Sequence, residues 1–307
     1  MIKPPALRKG DRIAVVAPAS PFDREEFERG VTELRSIELE PVFDQSIFER
    51  SEYVAGSAAN RALNFLEAWR DPTIAGVMAV RGGYGSAQLL PFLDPSKFRT
   101  TPKVLIGCSD ITSLLSFASI QCQMVVFHGP MVVTLGKGVQ LYDRASLVGQ
   151  LMSGVPYGCM DCHGVEILKS GSSRGPIYGG TLTQIVASLG TPFSFNPPEK
   201  YVLLLDDVDE RPYRVDRMMN QLRQAGLLER ACALLCTEFQ GCEERDGMLS
   251  ARSVLAKYCT EIAGPVLFGL RTGHTLHPMV TVPLGVEVTV HAKSPVKVVI
   301  EEAAVMT

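Results

Sequence analysis

The chain has 307 residues, 46% hydrophobic and 21% charged, with a formal net charge of −3. That length supports one large or two medium domains, each able to bury a core. The slightly acidic balance gives no electrostatic basis for a nucleic-acid or anionic-membrane partner, and no run approaches the ~18 apolar residues of a membrane span.

In chain order, "RIAVVAP" (12–18) reads as a buried first strand. Together with Ala17-Pro18-Ala19 it mimics a signal peptide and its cleavage site. The run is too short, however, and Gly10-Asp11 stand where a basic segment should lead in. The expected location is therefore the cytoplasm. "REEFERGVTELRSI" places Phe27, Val31 and Leu34 on one helical face. "EPVFD" is a second strand, and "SAANRALNFLEAWRD" a helix with Ala62, Phe65, Leu66 and Trp69 at spacings of three and four. "IAGVMAV" is a third strand, ending at "RGGYGS". "KVLIG" is a fourth, ending at Cys108-Ser109-Asp110 and followed by a helix over 111–121; "MVVFHGP" is a fifth. Continuously apolar strands alternating with helices predict an α/β fold with a parallel sheet covered on both faces. Ligands of such sheets gather beyond the carboxyl ends of the strands, where "RGGYGS" and "GCSD" lie.

The pattern changes after about Leu147, where a Gly- and Ser-rich stretch offers only short extended pieces. The expected division is an N-terminal domain over 1–152 and a smaller α/β domain over 153–307. The latter contains the helix "GGTLTQIVASLG", the strand "YVLLLDD", the helix "VDRMMNQLRQAG" and the strand "ACALLC". Three further strands, "VLFGL", "MVTVPLG" and "VEVTVHA", follow.

Several residues invite chemistry. Ser109 stands where a strand meets a helix with unpaired amides, which suits a nucleophile and its oxyanion. The likeness to a nucleophile elbow is partial, because Ile111 replaces the second glycine of G-x-S-x-G. A helix cap by Ser109 or Asp110 is the plainer local reading. Cys108, on the strand side, alternates away from Ser109 and reads as a packed thiol. Gly82, Gly83 and Gly85 form neither a dinucleotide fingerprint nor a P-loop, but suit a close backbone approach to substrate. Asp206, Asp207, Asp209 and Glu210 cluster at a strand end. They offer a Mg²⁺ site, a solvated turn, or one carboxylate that orients a histidine. Pro212 suits a first helical turn, leaving Glu210 in the loop before it. Among five histidines, His274 fits a general base best by its flanking residues, with His128 and His277 left open. The eight cysteines read mainly as reduced thiols. The "GCMDCHG" segment, with Cys159, Cys162 and His163, matches a haem-attachment spacing, but the lack of an export signal argues against that use.

Taken together, "VRGGYGSAQLLPFLD", "KVLIGCSDITSLL", "FHGPM", "GGTLTQIVASLGTPF", "LLLDDVDERPYRVDRMMNQL" and "GHT…VTVPLG" resemble, in order and over nearly the whole chain, the LD-carboxypeptidase family. These serine peptidases include murein tetrapeptide carboxypeptidases and microcin C self-immunity proteins. The resemblance implies a flavodoxin-like parallel-sheet N-terminal domain and a smaller α/β C-terminal domain, working as a homodimer without metal or cofactor. It implies a Ser-His-Glu triad of Ser109, His274 and Glu210, with backbone amides of Gly83 and Asp110 as the oxyanion hole. The implied reaction is hydrolysis of an L,D amide, releasing terminal D-Ala from a small peptide substrate, a muropeptide tetrapeptide. Cleavage of peptidyl- or aminoacyl-nucleotides is the alternative. A nucleotide-binding or redox protein and an inactive binding module are competitors from other classes. Arg81 is a candidate for the substrate carboxylate. Three positions depart from the family's habit: Cys108 replaces an aromatic residue, Asp206 a frequent Glu and Thr181 a frequent Asn. None of these removes a triad member.

Overall fold

The five apolar runs of the first half form strands β1 (Arg12–Val16), β2 (Glu40–Val42), β3 (Ile74–Ala79), β4 (Val104–Gly107) and β5 (Val126–His128) in the computed structural model, which describes residues 1–307. They lie parallel in the order β2-β1-β3-β4-β5, the flavodoxin-like order. Every residue of β4 and β5 is buried, which is why these strands read as unbroken apolar runs rather than alternating ones. Helix Arg24–Ser36 starts where the Asp23 carboxylate accepts from the Glu26 N–H, and it buries Phe27, Val31 and Leu34. Ser57 caps helix Ala58–Arg70 in the same way, and Ala62, Phe65 and Trp69 go inward. The helix expected over 111–121 is compound. A tight turn at Ser109–Ile111 leads into α-helix Thr112–Ser116 and then a wider π-type turn at Phe117–Gln121.

After helix Arg144–Met152 come β6 (Gly158–Cys159), β7 (Glu166–Lys169), β8 (Gly171–Thr181), β9 (Tyr201–Asp206), β10 (Ala231–Thr237), β11 (Val266–Leu270), β12 (Val282–Leu284), β13 (Glu287–Ala292) and β14 (Lys297–Ile300). Eight of these form a second sheet in the order β6-β14-β13-β8-β9-β10-β11-β7. Its centre, β8 to β11, is parallel, and antiparallel strands flank it. The expected boundary at 152/153 follows the Arg144–Met152 helix directly, but the chain crosses it again. Strand β12 returns to the first sheet, antiparallel to β5, with Val282 opposite His128 and Leu284 opposite Val126. It covers what would otherwise be an open sheet edge.

The two sheets are locked together beside the turn at Ser109–Ile111. The Thr181 N–H donates to Thr112 Oγ1 at 3.0 Å, and Ser113 Oγ donates to Gln184 Oε1 at 3.1 Å. Gly180 permits this approach. Its φ is 142°, and a Cβ there would lie 2.6 Å from Thr112 Oγ1. No helix is long and apolar enough to cross a membrane.

Candidate active site

At the end of β4 the backbone stays extended through Cys108 and then turns sharply at Ser109, whose φ is +60°. A non-glycine residue in this region costs on the order of 1–2 kcal/mol and lifts its side chain clear of the sheet. The Ile111 N–H closes the turn on the Cys108 carbonyl at 3.1 Å. Neither Ser109 nor Asp110 caps the following helix: no side-chain cap bond exists at either turn. The Asp110 carboxylate instead accepts from the Ser86 N–H at 2.8 Å, and Ser86 Oγ donates to the Asp110 carbonyl at 2.5 Å. Burial pushes the Asp110 carboxyl up against these bonds. The clearance that an elbow normally takes from its second glycine comes here from another loop. A Cβ on Gly82 would lie 2.7 Å from Ser109 Cβ.

Three parallel strand ends supply the rest. Asp206 closes β9, with Thr181 of β8 as its register partner and Thr237 at the end of β10. The Asp206 side chain is fully buried and accepts four hydrogen bonds. Thr237 Oγ1 (2.8 Å) and the His274 N–H (3.0 Å) meet Oδ1, while His274 Nδ1 (2.7 Å) and Thr181 Oγ1 (3.4 Å) meet Oδ2. The other ring nitrogen, His274 Nε2, lies 3.1 Å from Ser109 Oγ. Gly273 makes this fit possible. Its φ is 67°, and a Cβ would stand 2.3 Å from Asp206 Cγ. Burial alone would raise the Asp206 carboxyl, but the His274 charge and hydrogen bonds outweigh it and hold the pKa below the ordinary value. Burial alone would lower His274, but the hydrogen bond and charge of Asp206 outweigh it and raise the imidazole above 6.5.

The structure therefore brings Ser109 and His274 together, and the carboxylate it sets on the imidazole is Asp206, not the expected Glu210. Glu210 does not reach the imidazole. It lies beyond the turn at Asp209 (φ 55°), with its carboxylate 3.5 Å from the Arg214 guanidinium. No hydrogen bond joins it to His274, whose Nδ1 is taken by Asp206. The physical reason is reach. Asp206 still belongs to the strand, so sheet register aims it at the β8 and β10 ends, whereas Glu210 stands four residues further along, in the loop that enters helix Pro212–Gln224. The signal for Asp206 was present, as the one charged residue of "YVLLLD".

The other candidates separate clearly. His128 is wholly buried in β5, and burial pulls its pKa down to about 4. His277 is half-exposed and pairs with Glu238 at 2.8 Å. Cys108 is buried, and burial pushes its thiol pKa far up, away from thiolate chemistry. Cys159 is exposed and Cys162 half-buried, while His163 Nδ1 contacts the Arg271 guanidinium at 3.2 Å. No group of three or more His, Cys, Asp or Glu converges as a metal ion would need.

Ser109 and His274 open onto a cleft of ≈ 350 Å³ that also contacts Arg81, Gly82, Gly83 and Thr275. The 81–85 loop is held from behind by the buried Arg61, which donates to the Gly85 carbonyl at 2.8 Å and also to the Pro18 carbonyl. The Gly82 carbonyl accepts from the Ser20 N–H at 3.2 Å. The Gly83 N–H lies across the same planar peptide and so points away from Ser20.

A Ser-His-Asp contact chain thus stands at the carboxyl ends of parallel strands from both sheets, and sequence comparison gives the family. The LD-carboxypeptidase N-terminal domain matches residues 13–129, and the LD-carboxypeptidase C-terminal domain matches residues 174–290. The chain belongs to the LD-carboxypeptidase family. It is 32% identical over 313 residues to a probable murein peptide carboxypeptidase of Bacillus subtilis, covering 99% of this chain and 97% of that one. Its fold matches a muramoyltetrapeptide carboxypeptidase from Oxalobacter formigenes with a TM-score of 0.83 at 26% identity, over 96% of this chain and all of that one (100%). It also matches MccF in complex with glutamyl sulfamoyl guanosine, with a TM-score of 0.90 at 24% identity, over 99% and 100% of the two chains.

Proposed function

We propose that the protein is a serine-type L,D-carboxypeptidase that removes the terminal D-amino acid from a muropeptide tetrapeptide. The observation that carries this reading is the unbroken contact chain Ser109 Oγ–His274 Nε2 at 3.1 Å and His274 Nδ1–Asp206 Oδ2 at 2.7 Å. The family membership directs it to murein peptides.

In this mechanism Ser109 Oγ attacks the scissile carbonyl while His274 Nε2 takes its proton. Asp206 fixes the proton of the neutral ring on Nδ1, which leaves Nε2 as the base, and then stabilises the imidazolium. The N–H groups of Gly83 and Asp110 receive the oxyanion. His274 returns the proton to the leaving amine of the D-residue. Water then enters, His274 deprotonates it, and the ester on Ser109 is hydrolysed. Thr237 and Thr181 hold the Asp206 carboxylate in its one productive orientation. Arg81, on the cleft, meets the substrate carboxylate.

Labelling with a serine-reactive phosphonate probe, followed by peptide mapping, tests the nucleophile, and D-alanine release from L,D-tetrapeptide tests the reaction. The label is expected on Ser109, and Ser109→Ala is expected to lose about 10³-fold or more of the turnover. Modification at Cys108, or hydrolysis confined to an aminoacyl-nucleotide amide in place of the tetrapeptide, would overturn the reading.

A further inference from the structure

The cleft beside Ser109 has a one-sided charge. Two cationic side chains line it, Arg81 and Lys137, and no acidic one does. Lys137 follows the short helix Val132–Gly136, whose Val133 N–H donates to the Val80 carbonyl at 3.1 Å. That bond seats the helix against the end of β3, immediately before Arg81. Lys137 comes four residues after Val133 and three after Thr134, so all three share a helical face, and all three line the cleft. The fold leaves Arg81 without an ion pair and gives Lys137 only a long one. Arg81 has no carboxylate within 4.0 Å and spends one N–H on the Pro21 carbonyl at 2.8 Å. Lys137, with its side chain 48% exposed, has only a loose neighbour in Glu26 at 3.8 Å.

A carboxypeptidase has a specific need for such a field. In a substrate whose last residue leaves, the terminal carboxylate carbon lies within about 4 Å of the scissile carbonyl carbon. A cleft that holds the carbonyl at Ser109 must therefore hold the carboxylate nearby. We propose that Lys137 acts with Arg81 as a two-cation clamp for the terminal carboxylate, so that Lys137 is a specificity-determining residue that restricts the enzyme to free C-termini. The planar guanidinium supplies directed donors, and the ammonium supplies a point charge from the facing helix. This proposal rests on the carboxypeptidase reading and adds the group that selects an exopeptidase substrate.

The test compares an L,D-tetrapeptide ending in a free carboxylate with the same peptide ending in a carboxamide. The wild type is expected to prefer the acid by on the order of a hundredfold in kcat/KM, and Lys137→Gln to cut that preference about tenfold. Lys137→Arg should restore most of it. An acid-to-amide ratio unchanged in Lys137→Gln overturns the clamp and leaves the carboxypeptidase reading standing. Calorimetric binding of both peptides to Ser109→Ala reads the same preference without turnover. Tighter binding of the acid that weakens in Ser109→Ala/Lys137→Gln supports the clamp, and equal affinities overturn it. Failure of the wild type to cleave either peptide overturns the functional reading, whatever the binding shows.

Discussion

His274 is joined twice to Asp206: its main-chain N–H donates to Oδ1 at 3.0 Å, and its ring Nδ1 lies 2.7 Å from Oδ2. The His274 loop is thus anchored by the same carboxylate that meets its imidazole. Asp206→Asn keeps the shape but removes the charge, and an amide that turns its NH₂ to Nδ1 would favour the wrong tautomer. Its kcat should fall on the order of 10³–10⁴-fold. Glu210→Gln, four residues away and turned to Arg214, should stay within a few-fold of wild type. Turnover of L,D-tetrapeptide by the two variants decides between the carboxylates, and a reversed order would reinstate Glu210 as the acid.

This contrast shows what the amino-acid sequence made legible. The apolar runs that became β1 to β5 and the amphipathic helices are local patterns, and they are found where their periodicity puts them. The ordered family blocks point to Ser109 and His274, whose side chains the structure sets 3.1 Å apart, whereas spacing alone leaves a cap reading and three histidines open. The carboxylate that meets His274 is not legible in a linear chain, where Asp206, Asp207, Asp209 and Glu210 are chemically alike. Only the register of β8, β9 and β10 distinguishes them, and register is a tertiary property. The return of β12 to the first sheet was hidden for the same reason. Lys137 lies in "LGKGV", between two glycines, and its place on the cleft comes from the seating of a short helix against the end of β3.

The raised His274 pKa sets the direction of the pH profile. In the proposed mechanism the general base works as the neutral ring, so kcat/KM should rise with pH through a limb whose midpoint lies above 6.5. In Asp206→Asn the carboxylate support is gone and burial dominates, so the midpoint of the residual activity should move down. The linkage runs the other way for stability. A raised histidine contributes stabilisation that is complete below 6.5 and is lost as pH rises through the folded value. A profile with its acid limb below 6.5, or one unmoved by Asp206→Asn, would detach the pKa of the base from this pair.

Two glycines allow the close approach of Ser109, His274 and Asp206. In Gly273→Ala the new methyl would begin 2.3 Å from Asp206 Cγ, at a φ of 67° that disfavours alanine. The His274 loop must then move away from Asp206, and activity should fall on the order of a hundredfold, because an ångström of misplacement costs about that much. In Gly82→Ala the methyl would stand 2.7 Å from Ser109 Cβ and 2.9 Å from its Oγ, displacing the nucleophile itself. Both variants should keep the wild-type far-ultraviolet circular dichroism, while Gly82→Ala loses reactivity toward the phosphonate probe. Normal turnover in either would mean that the loops yield without cost.

His128 provides the last test, on stability rather than rate. Both of its ring nitrogens are buried without a hydrogen-bond partner. Burial is the main cause that pulls its pKa from 6.5 to about 4, with Asp206 opposing and His274 assisting. The unfolded chain takes up this proton near 6.5, while the folded protein resists it until about 4. The unfolded state therefore binds more protons across that window, and the folded state loses stability as pH falls through it. The gap between 6.5 and about 4 corresponds to about 3 kcal/mol. Asp207, pushed up mainly by burial to about 6, acts in the opposite sense, so the wild-type curve alone hides the effect. The comparison with His128→Asn removes this interference, since Asp207 is present in both proteins. Urea unfolding at pH 7 and again near pH 4 should show the wild type losing about 3 kcal/mol relative to the variant. Parallel pH curves would mean that the imidazole finds a proton partner in the folded core.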